Sequence, residues 1–265
     1  MSFKDQTVWI TGAGSGIGKA LAKAFANEGA TIILSGRNMS ALENAKKELI
    51  DSEKHHIIAL DLANRDGIEK IFNDHQELIQ KVDVLINNAG ISQRSLAKDT
   101  EFSVYEKLME VNYLGTIKLS LLLLDNYLAK NSGRYIVISS VAGKIGVPVR
   151  SGYSGAKFAL HGFFEALRAE LYKTKIKIHM VCPGFIRTDI SKNALTAKGQ
   201  AQGLMDDAQA NGMSPEVFAQ KLIQGVRKNK AEIVIGGFRE AKLAIWVSRF
   251  FPGLLRRMIA RSKVT

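Results

Sequence analysis

Tyr153 and Lys157 stand four residues apart at the start of a helix-compatible segment. On a helix that spacing sets both side chains over one face, so both can reach a single cleft. Ser140 lies thirteen residues before Tyr153, at the end of a strand-like run. Singly the three are ordinary. A Tyr–Lys pair of this spacing usually decorates a helix surface, and a serine after a strand usually caps a turn. They gain meaning beside Thr11-Gly12-Ala13-Gly14-Ser15-Gly16-Ile17-Gly18, which follows the first strand-like run and opens the first helical stretch. Glycines there permit a tight turn and let a pyrophosphate approach the backbone. The helix N-terminus then offers free N–H groups and a positive dipole end. Lys19, in the first turn, could add charge. The plainer alternative is a glycine-rich turn without a ligand, and the strand–turn–helix context weighs against it. A phenol, an ammonium and a hydroxyl following such a turn suggest proton transfer coupled to hydride transfer.

The second strand-like run ends in Ser35-Gly36-Arg37-Asn38. A carboxylate here would accept hydrogen bonds from the adenosine ribose hydroxyls and select the unphosphorylated dinucleotide. Arg37 instead offers a guanidinium to a 2′-phosphate, which favours NADP(H) and leaves NAD(H) open. An Arg37 that simply faces solvent is the alternative.

The elements that must position these groups alternate along the chain. Strand-like runs read at 7–11, 31–34, 57–60, 82–86, 134–139, 177–181 and 232–235. Helical stretches read at 17–28, 39–52, 65–79, 102–124, 127–130, 158–172 and 215–228. Runs such as Val82-Asp83-Val84-Leu85-Ile86 and Tyr135-Ile136-Val137-Ile138 are nearly all apolar, as in strands covered on both faces. The rhythm predicts an α/β fold: a doubly wound, Rossmann-type parallel sheet of about seven strands with helices on both faces.

Further segments complete a pattern: Asp61-Leu62, Asn87-Asn88-Ala89-Gly90, Asn112, Ser139-Ser140, Tyr153-Ser154-Gly155-Ala156-Lys157, and Pro183-Gly184 followed by Thr188. With the glycine turn they make the chain resemble the short-chain dehydrogenase/reductase family over roughly residues 4 to 240. Beyond the core motifs it is more loosely similar to the dehydrogenase/reductase member 7B-like subset. The resemblance implies a bound nicotinamide nucleotide and a dimer or tetramer, hence a homo-oligomer. It places the cofactor on Gly12, Ser15, Gly16, Ile17, Gly18 and Arg37, with Asp61 and Leu62 flanking the adenine. Asn88, Ala89 and Gly90 would support the pocket, and Pro183, Gly184 and Thr188 would border the nicotinamide. It assigns catalysis to Asn112, Ser140, Tyr153 and Lys157. Tyr153 would donate the proton, Ser140 would polarise the substrate oxygen, and Lys157 would lower the tyrosine pKa and hold the ribose hydroxyls. Asn112 would serve a proton relay; a helix-kinking side chain that bonds a main-chain carbonyl is its other reading, and the two are compatible. Gly155, where alanine or serine is more usual, is a mild departure.

The substrate pocket is expected from residues 92–97, 143–150 and 185–212. Ile145, Val147, Val149 and Phe185 permit an apolar carbonyl or secondary alcohol. Arg94 and Arg150 could meet an anionic group, although such arginines are usually a solvated face. The five histidines show no metal-ligand spacing, and Cys182 reads as a packed small residue. No metal is expected.

The chain has 265 residues, 46% of them hydrophobic, enough for one large domain. One cysteine excludes an internal disulfide framework and points to a reducing, cytoplasmic setting. The N-terminus shows no signal-type apolar region, and no run of apolar residues is long enough to span a membrane. Half of the net charge of +12 lies in residues 238–265, where seven cations face Glu240 alone. That concentration argues against a nucleic-acid footprint over the body. Lys242, Arg249, Arg256 and Lys263 recur every seventh residue, and Leu243, Trp246, Val247, Phe250, Leu254 and Met258 oppose them. Pro252-Gly253 should divide the segment into two short amphipathic helices. This appendage would pack on the protein or a second subunit, or make peripheral contact with a membrane surface. Residues 1–237 form the dinucleotide-binding catalytic domain in this reading, with 185–214 as its substrate lid. The competing function is an inactive nucleotide-sensing or scaffold protein on the same fold, which would not need Ser140, Tyr153 and Lys157 together. A basic protein acting on nucleic acid through the tail lacks stacking platforms.

Overall fold

The computed structural model describes residues 2–261, the side chains of 238–240 excepted. The chain runs β1 (Thr7–Thr11), α1 (Gly16–Asn27), β2 (Thr31–Gly36), α2 (Met39–Lys47), β3 (His56–Ala59), α3 (Arg65–Asp74), α4 (Gln76–Ile79) and β4 (Val82–Asn87). It continues through α5 (Phe102–Met109), α6 (Gly115–Lys130), β5 (Arg134–Ile138), α7 (Ser151–Glu170) and β6 (Lys177–Pro183). Last come α8 (Asp207–Ala210), α9 (Pro215–Arg227), β7 (Glu232–Ile235), α10 (Ala244–Phe250) and α11 (Pro252–Arg261).

The strands form one parallel sheet in the order β3-β2-β1-β4-β5-β6-β7. Its inner strands are largely apolar because both faces are covered: consecutive Ile32, Ile33 and Leu34 are all fully buried. On one face Leu21 and Phe25 of α1, Leu42 of α2, and Phe218 and Leu222 of α9 pack over the sheet. On the other, Ile68 of α3, Leu119 and Tyr127 of α6, and Phe164 of α7 do so. The winding reverses between β1 and β4, which lie side by side, and a crevice opens there at the carboxyl ends of the strands.

Element boundaries differ from expectation where tertiary contacts override propensity. α7 begins at Ser151, seven residues before the apolar period becomes regular at Phe158, so Tyr153 and Lys157 lie in its first two turns. The helix expected over 65–79 breaks at His75, and that expected over 39–52 ends at Lys47 before a short 3₁₀ turn. Between α5 and α6 the chain makes a π-helical turn over Glu110–Leu114, and α6 then runs to Lys130 without the expected gap.

The tail divides at Phe251, with Pro252 opening α11. Leu255 is buried, while Trp246, Phe250, Phe251, Leu254 and Met258 are exposed. Arg256, Ile259 and Ala260 wall a shallow cleft of about 450 Å³ against Val147, Pro148 and Ser151. Lys263, the last of the heptad-spaced cations, lies outside the described residues. Among the described residues no helix is long and apolar enough to cross a membrane.

Candidate active site

The glycine-rich turn leaves β1 and enters α1 through backbone that only glycine adopts freely: Gly12 has φ 67° and Gly16 φ 51°. A Cβ on Gly18 would come within 2.1 Å of the Gly12 carbonyl oxygen, and one on Gly12 within 2.9 Å of Ala89 Cα. Ser15 is the extended N-cap of α1, yet its side chain caps no amide of that helix. The α1 N-terminus is thus left for an outside acceptor, and this cradle fits the pyrophosphate of a dinucleotide. Ile17 packs on the core below. Lys19 is engaged elsewhere, in a 2.8 Å ion pair with Glu48.

Thr11, which opens the glycine-rich motif but was given no role in it, ties the turn to the Asn87–Gly90 segment. Its Oγ1 accepts from the backbone N–H groups of Asn88 and Ala89, both at 3.0 Å. Asn88 Nδ2 donates in return to the carbonyls of Thr11 (2.9 Å) and Gly12 (3.2 Å). After β6, Gly184 N–H donates to Ile235 O at 2.8 Å. Thr188 then lies so near the turn that a Cβ on Gly16 would meet its methyl at 3.0 Å. Pro183, Gly184 and Thr188 are thereby brought to the crevice. Leu62 is buried and Asp61 is exposed, accepting from Ala63 N–H at 3.0 Å. Arg37 is exposed just beyond β2 and makes no ion pair with any described residue.

Asn112 is fully buried in the π-helical turn. Its Nδ2 donates to Ile91 O (2.9 Å) and its Oδ1 accepts from Ile91 N–H (2.8 Å). Turns of this type interrupt helices frequently at functional sites. A Cβ on Gly90 would lie 2.9 Å from Asn112 Oδ1 and 3.5 Å from Lys157 Nζ, so the three meet at one point. Lys157 is buried, donates from Nζ to Ile138 O at 2.8 Å, and sits 5.9 Å from the Tyr153 ring centroid. Burial pulls its pKa down to about 8. Ser140 begins the turn after β5, its Oγ accepting from Ala142 N–H at 3.1 Å. Burial raises the Tyr153 phenol pKa, while a hydrogen bond with Ser140 and the charges of Arg150 and Arg94 draw it partway back. Arg150 and Arg94 are thus cations that draw the phenol pKa down, while Lys157 Nζ is held at the Ile138 carbonyl.

Neither arginine is a solvated surface group. Arg94 and Arg150 are 8% and 12% exposed at the side chain, and both meet Asp206, which is 6% exposed. Arg94 donates to Asp206 Oδ2 from Nε (2.8 Å) and Nη2, and from Nη1 to Ser92 Oγ (3.0 Å) and Gln93 O (2.7 Å). Arg150 reaches the same carboxylate at 3.4 Å and lies 5.9 Å from the Phe185 ring centroid. Burial alone would raise the Asp206 pKa. The Arg94 bond and charge, a Gln202 bond and Arg150 hold it below the usual carboxylate range. The anionic group these arginines meet is thus the chain's own. Val149, immediately before, has φ 55°, a strained value for a β-branched residue.

One acidic cluster emerges that spacing did not show. His161, Glu165 and Glu232 bring ligand atoms within 4.8 Å of one another. Lys144 Nζ already supplies the cation there, 2.6 Å from Glu232 and 3.7 Å from Glu165. Cys182 is fully buried with Sγ 3.7 Å from His161 Nε2, and burial pushes its thiol pKa up to about 12.

The chain is similar to known proteins. The short chain dehydrogenase family pattern matches residues 6–199. The mouse (Mus musculus) protein named Dehydrogenase/reductase SDR family member 7B is 38% identical over 97% of this chain and 81% of its own length. A short-chain dehydrogenase/reductase from Burkholderia phymatum, solved in complex with NAD, superposes with a TM-score of 0.77 at 21% identity, over 88% of this chain and 90% of its own. A serine dehydrogenase solved with NADP+ gives 0.78 at 24% identity, over 88% and 96%. With the sheet order, the glycine cradle and the buried Tyr153–Lys157 pair, these likenesses show that the chain belongs to the short-chain dehydrogenase/reductase family of oxidoreductases.

Proposed function

We propose that the protein transfers a hydride between NADP(H) and an apolar carbonyl or secondary alcohol. The observation that carries this reading is the convergence of Ser140, Tyr153, Lys157 and Asn112 beside the glycine cradle, all buried or half-buried. Its cofactor half rests on Arg37, an exposed guanidinium at the tip of β2 where a carboxylate would select NAD(H).

A nicotinamide nucleotide bound in the crevice supplies the hydride for reduction and accepts it in oxidation. In reduction the Tyr153 hydroxyl gives its proton to the carbonyl oxygen as the carbon gains the hydride. The Ser140 hydroxyl donates to the same oxygen and fixes its position. Lys157, cationic below a pKa of about 8, steadies the phenolate left behind and holds ribose hydroxyls. Asn112 holds Ile91 by both its amide atoms and so sets the loop against which Lys157 Nζ rests. Proton return to Tyr153 then passes along the Lys157 side. Residues 185–214 act as the substrate lid of a catalytic unit spanning 1–237, and Asp206 latches that lid to Arg94. The exposed Trp246, Phe250 and Phe251 of the 238–265 appendage serve homo-oligomerisation in a cytoplasmic protein. A peripheral membrane contact is the second reading, favoured by Lys242 and Arg249 beside Trp246 and Phe250.

The test is a panel of carbonyls and alcohols followed by NADPH and NADH absorbance, with Tyr153→Phe in parallel. Turnover with NADPH, and a Tyr153→Phe variant that binds cofactor but loses about 10²–10⁴-fold in rate, is the expected result. Retained turnover in that variant removes the proton-donor role, and tighter NADH binding removes the role of Arg37. Size-exclusion chromatography and flotation on anionic vesicles separate the two readings of the tail.

A further inference from the structure

We infer that Gln93 is a positioning residue for Tyr153: it supplies, from a distant loop, the cap that the N-terminus of α7 lacks. The inference rests on the proposed role of Tyr153 as proton donor. The residue in the N-cap position, Arg150, places no side-chain acceptor on the helix. A guanidinium has none to offer. The first intrahelical bond runs from Ser154 N–H to Arg150 O, so the amides of Gly152 and Tyr153 have no helical partner. Gln93 Oε1 takes both, at 2.7 Å from Gly152 N and 3.3 Å from Tyr153 N. These are the second and third helical positions, the ones an N-cap side chain ordinarily serves. Gln93 lies 59 and 60 residues away in sequence, so this is capping by tertiary contact.

The carboxamide is itself fixed. Gln93 is fully buried, and its Nε2 donates to Ser95 Oγ (3.2 Å) and Thr100 Oγ1 (3.3 Å). All of its polar side-chain atoms are therefore used, and its orientation is determined by the fold. The backbone around it is equally tied. Arg94 N–H donates to Leu195 O and Leu195 N–H to Ser92 O, both at 2.8 Å. The contact with α7 is close: a Cβ on Gly152 would come 2.8 Å from both Leu108 and Tyr105 side chains and 3.2 Å from Gln93 Oε1. Gly152 therefore allows the helix start to approach the carboxamide. Because Gln93 Oε1 bonds the backbone N–H of Tyr153 itself, a shift of this loop moves the phenol.

The experiment compares Gln93→Met, of similar volume without a strong acceptor, and Gln93→Glu, which keeps the acceptor oxygen. Three readouts are used: hydrogen exchange of the peptide covering residues 150–158, cofactor affinity by fluorescence, and turnover of a carbonyl from the panel. In Gln93→Met the 150–158 amides should exchange at least about tenfold faster, and kcat should fall on the order of 100-fold while the cofactor Kd stays within about twofold. Gln93→Glu should restore slow exchange and return kcat to within about tenfold of the parent. Its added negative charge should move the alkaline loss of reduction to higher pH by raising the Tyr153 pKa. Wild-type exchange and kcat in Gln93→Met overturn the inference. Should that variant fail to fold, Gln93→Asn, one methylene too short to reach the two amides, replaces it: faster exchange with lost kcat supports the cap, and wild-type exchange and kcat overturn it. If Tyr153→Phe keeps its turnover, the proton-donor reading has failed whatever Gln93 does. If Tyr153→Phe is inactive while Gln93→Met is unimpaired, the failure belongs to Gln93 alone.

Discussion

Two buried guanidinium groups, Arg94 and Arg150, share one carboxylate, and the positive excess acts on the Tyr153 phenol. Replacing Asp206 by asparagine removes the compensating charge without changing size. Arg94 and Arg150 then draw the phenol pKa further down, so the alkaline loss of carbonyl reduction should begin at lower pH than in the parent. A pH–rate profile checks the direction. Because the variant leaves buried charge unpaired, it should also lower stability by about 3 kcal/mol, read by urea unfolding. The sequence made part of this legible. A Tyr–Lys spacing of four is local, and the motif around it is dense enough to be read. The Arg94–Asp206 pair spans 112 positions, and nothing local marks Arg94 as buried. Gln93 was hidden for the same reason: a glutamine within an expected pocket segment gives no sign that it caps a helix 59 residues on.

At the scale of elements, the crevice depends on how closely β1, α1 and β4 approach one another. Gly18 is the tightest point, since a side chain there would strike the Gly12 carbonyl and Asn88 Nδ2. Gly18→Ala should therefore push α1 from the turn, weaken NADPH binding at least about tenfold, and lower the thermal midpoint. Calorimetric titration and thermal unfolding measure both. The strands were readable because most are short, largely apolar runs, and the inner ones are buried on both faces. The start of α7 was less so. Gly152 and Gly155 lower helix propensity where tertiary contacts at Gln93, Tyr105 and Leu108 hold the chain helical.

For the whole molecule, two buried histidines couple the fold to acidity. Burial is the main cause that lowers His161 and His179, both to about 4 from the ordinary 6.5. In the unfolded chain both would titrate near 6.5. Between these values the unfolded state binds more protons, so stability is full above about pH 6.5 and is lost as pH falls toward 4. The loss should amount to on the order of a few kcal/mol, and His179→Gln should flatten the slope of unfolding free energy against pH over this window. Neither histidine carried a sequence signal beyond its lying in an apolar strand or helix. The tail's division into two helices was legible from Pro252, and its apolar side was expected to cover the protein or a partner; α11 walls a cleft with residues 147–151.

The π-helical turn at Glu110–Leu114 acts as a phase shifter. It gives α5 and α6 separate rotational settings, so Val104 and Leu108 can face the Tyr153 cluster while Leu119 and Leu123 face the sheet. Deleting one residue from the turn would fuse the two helices into a single period and rotate α5 by about 100° against α6. The deletion would thus unseat the wall beneath Tyr153 while sparing the β1–α1 cradle. Substrate turnover would then be lost to a single missing residue, and with it the grip of Asn112 on the loop against which Lys157 rests.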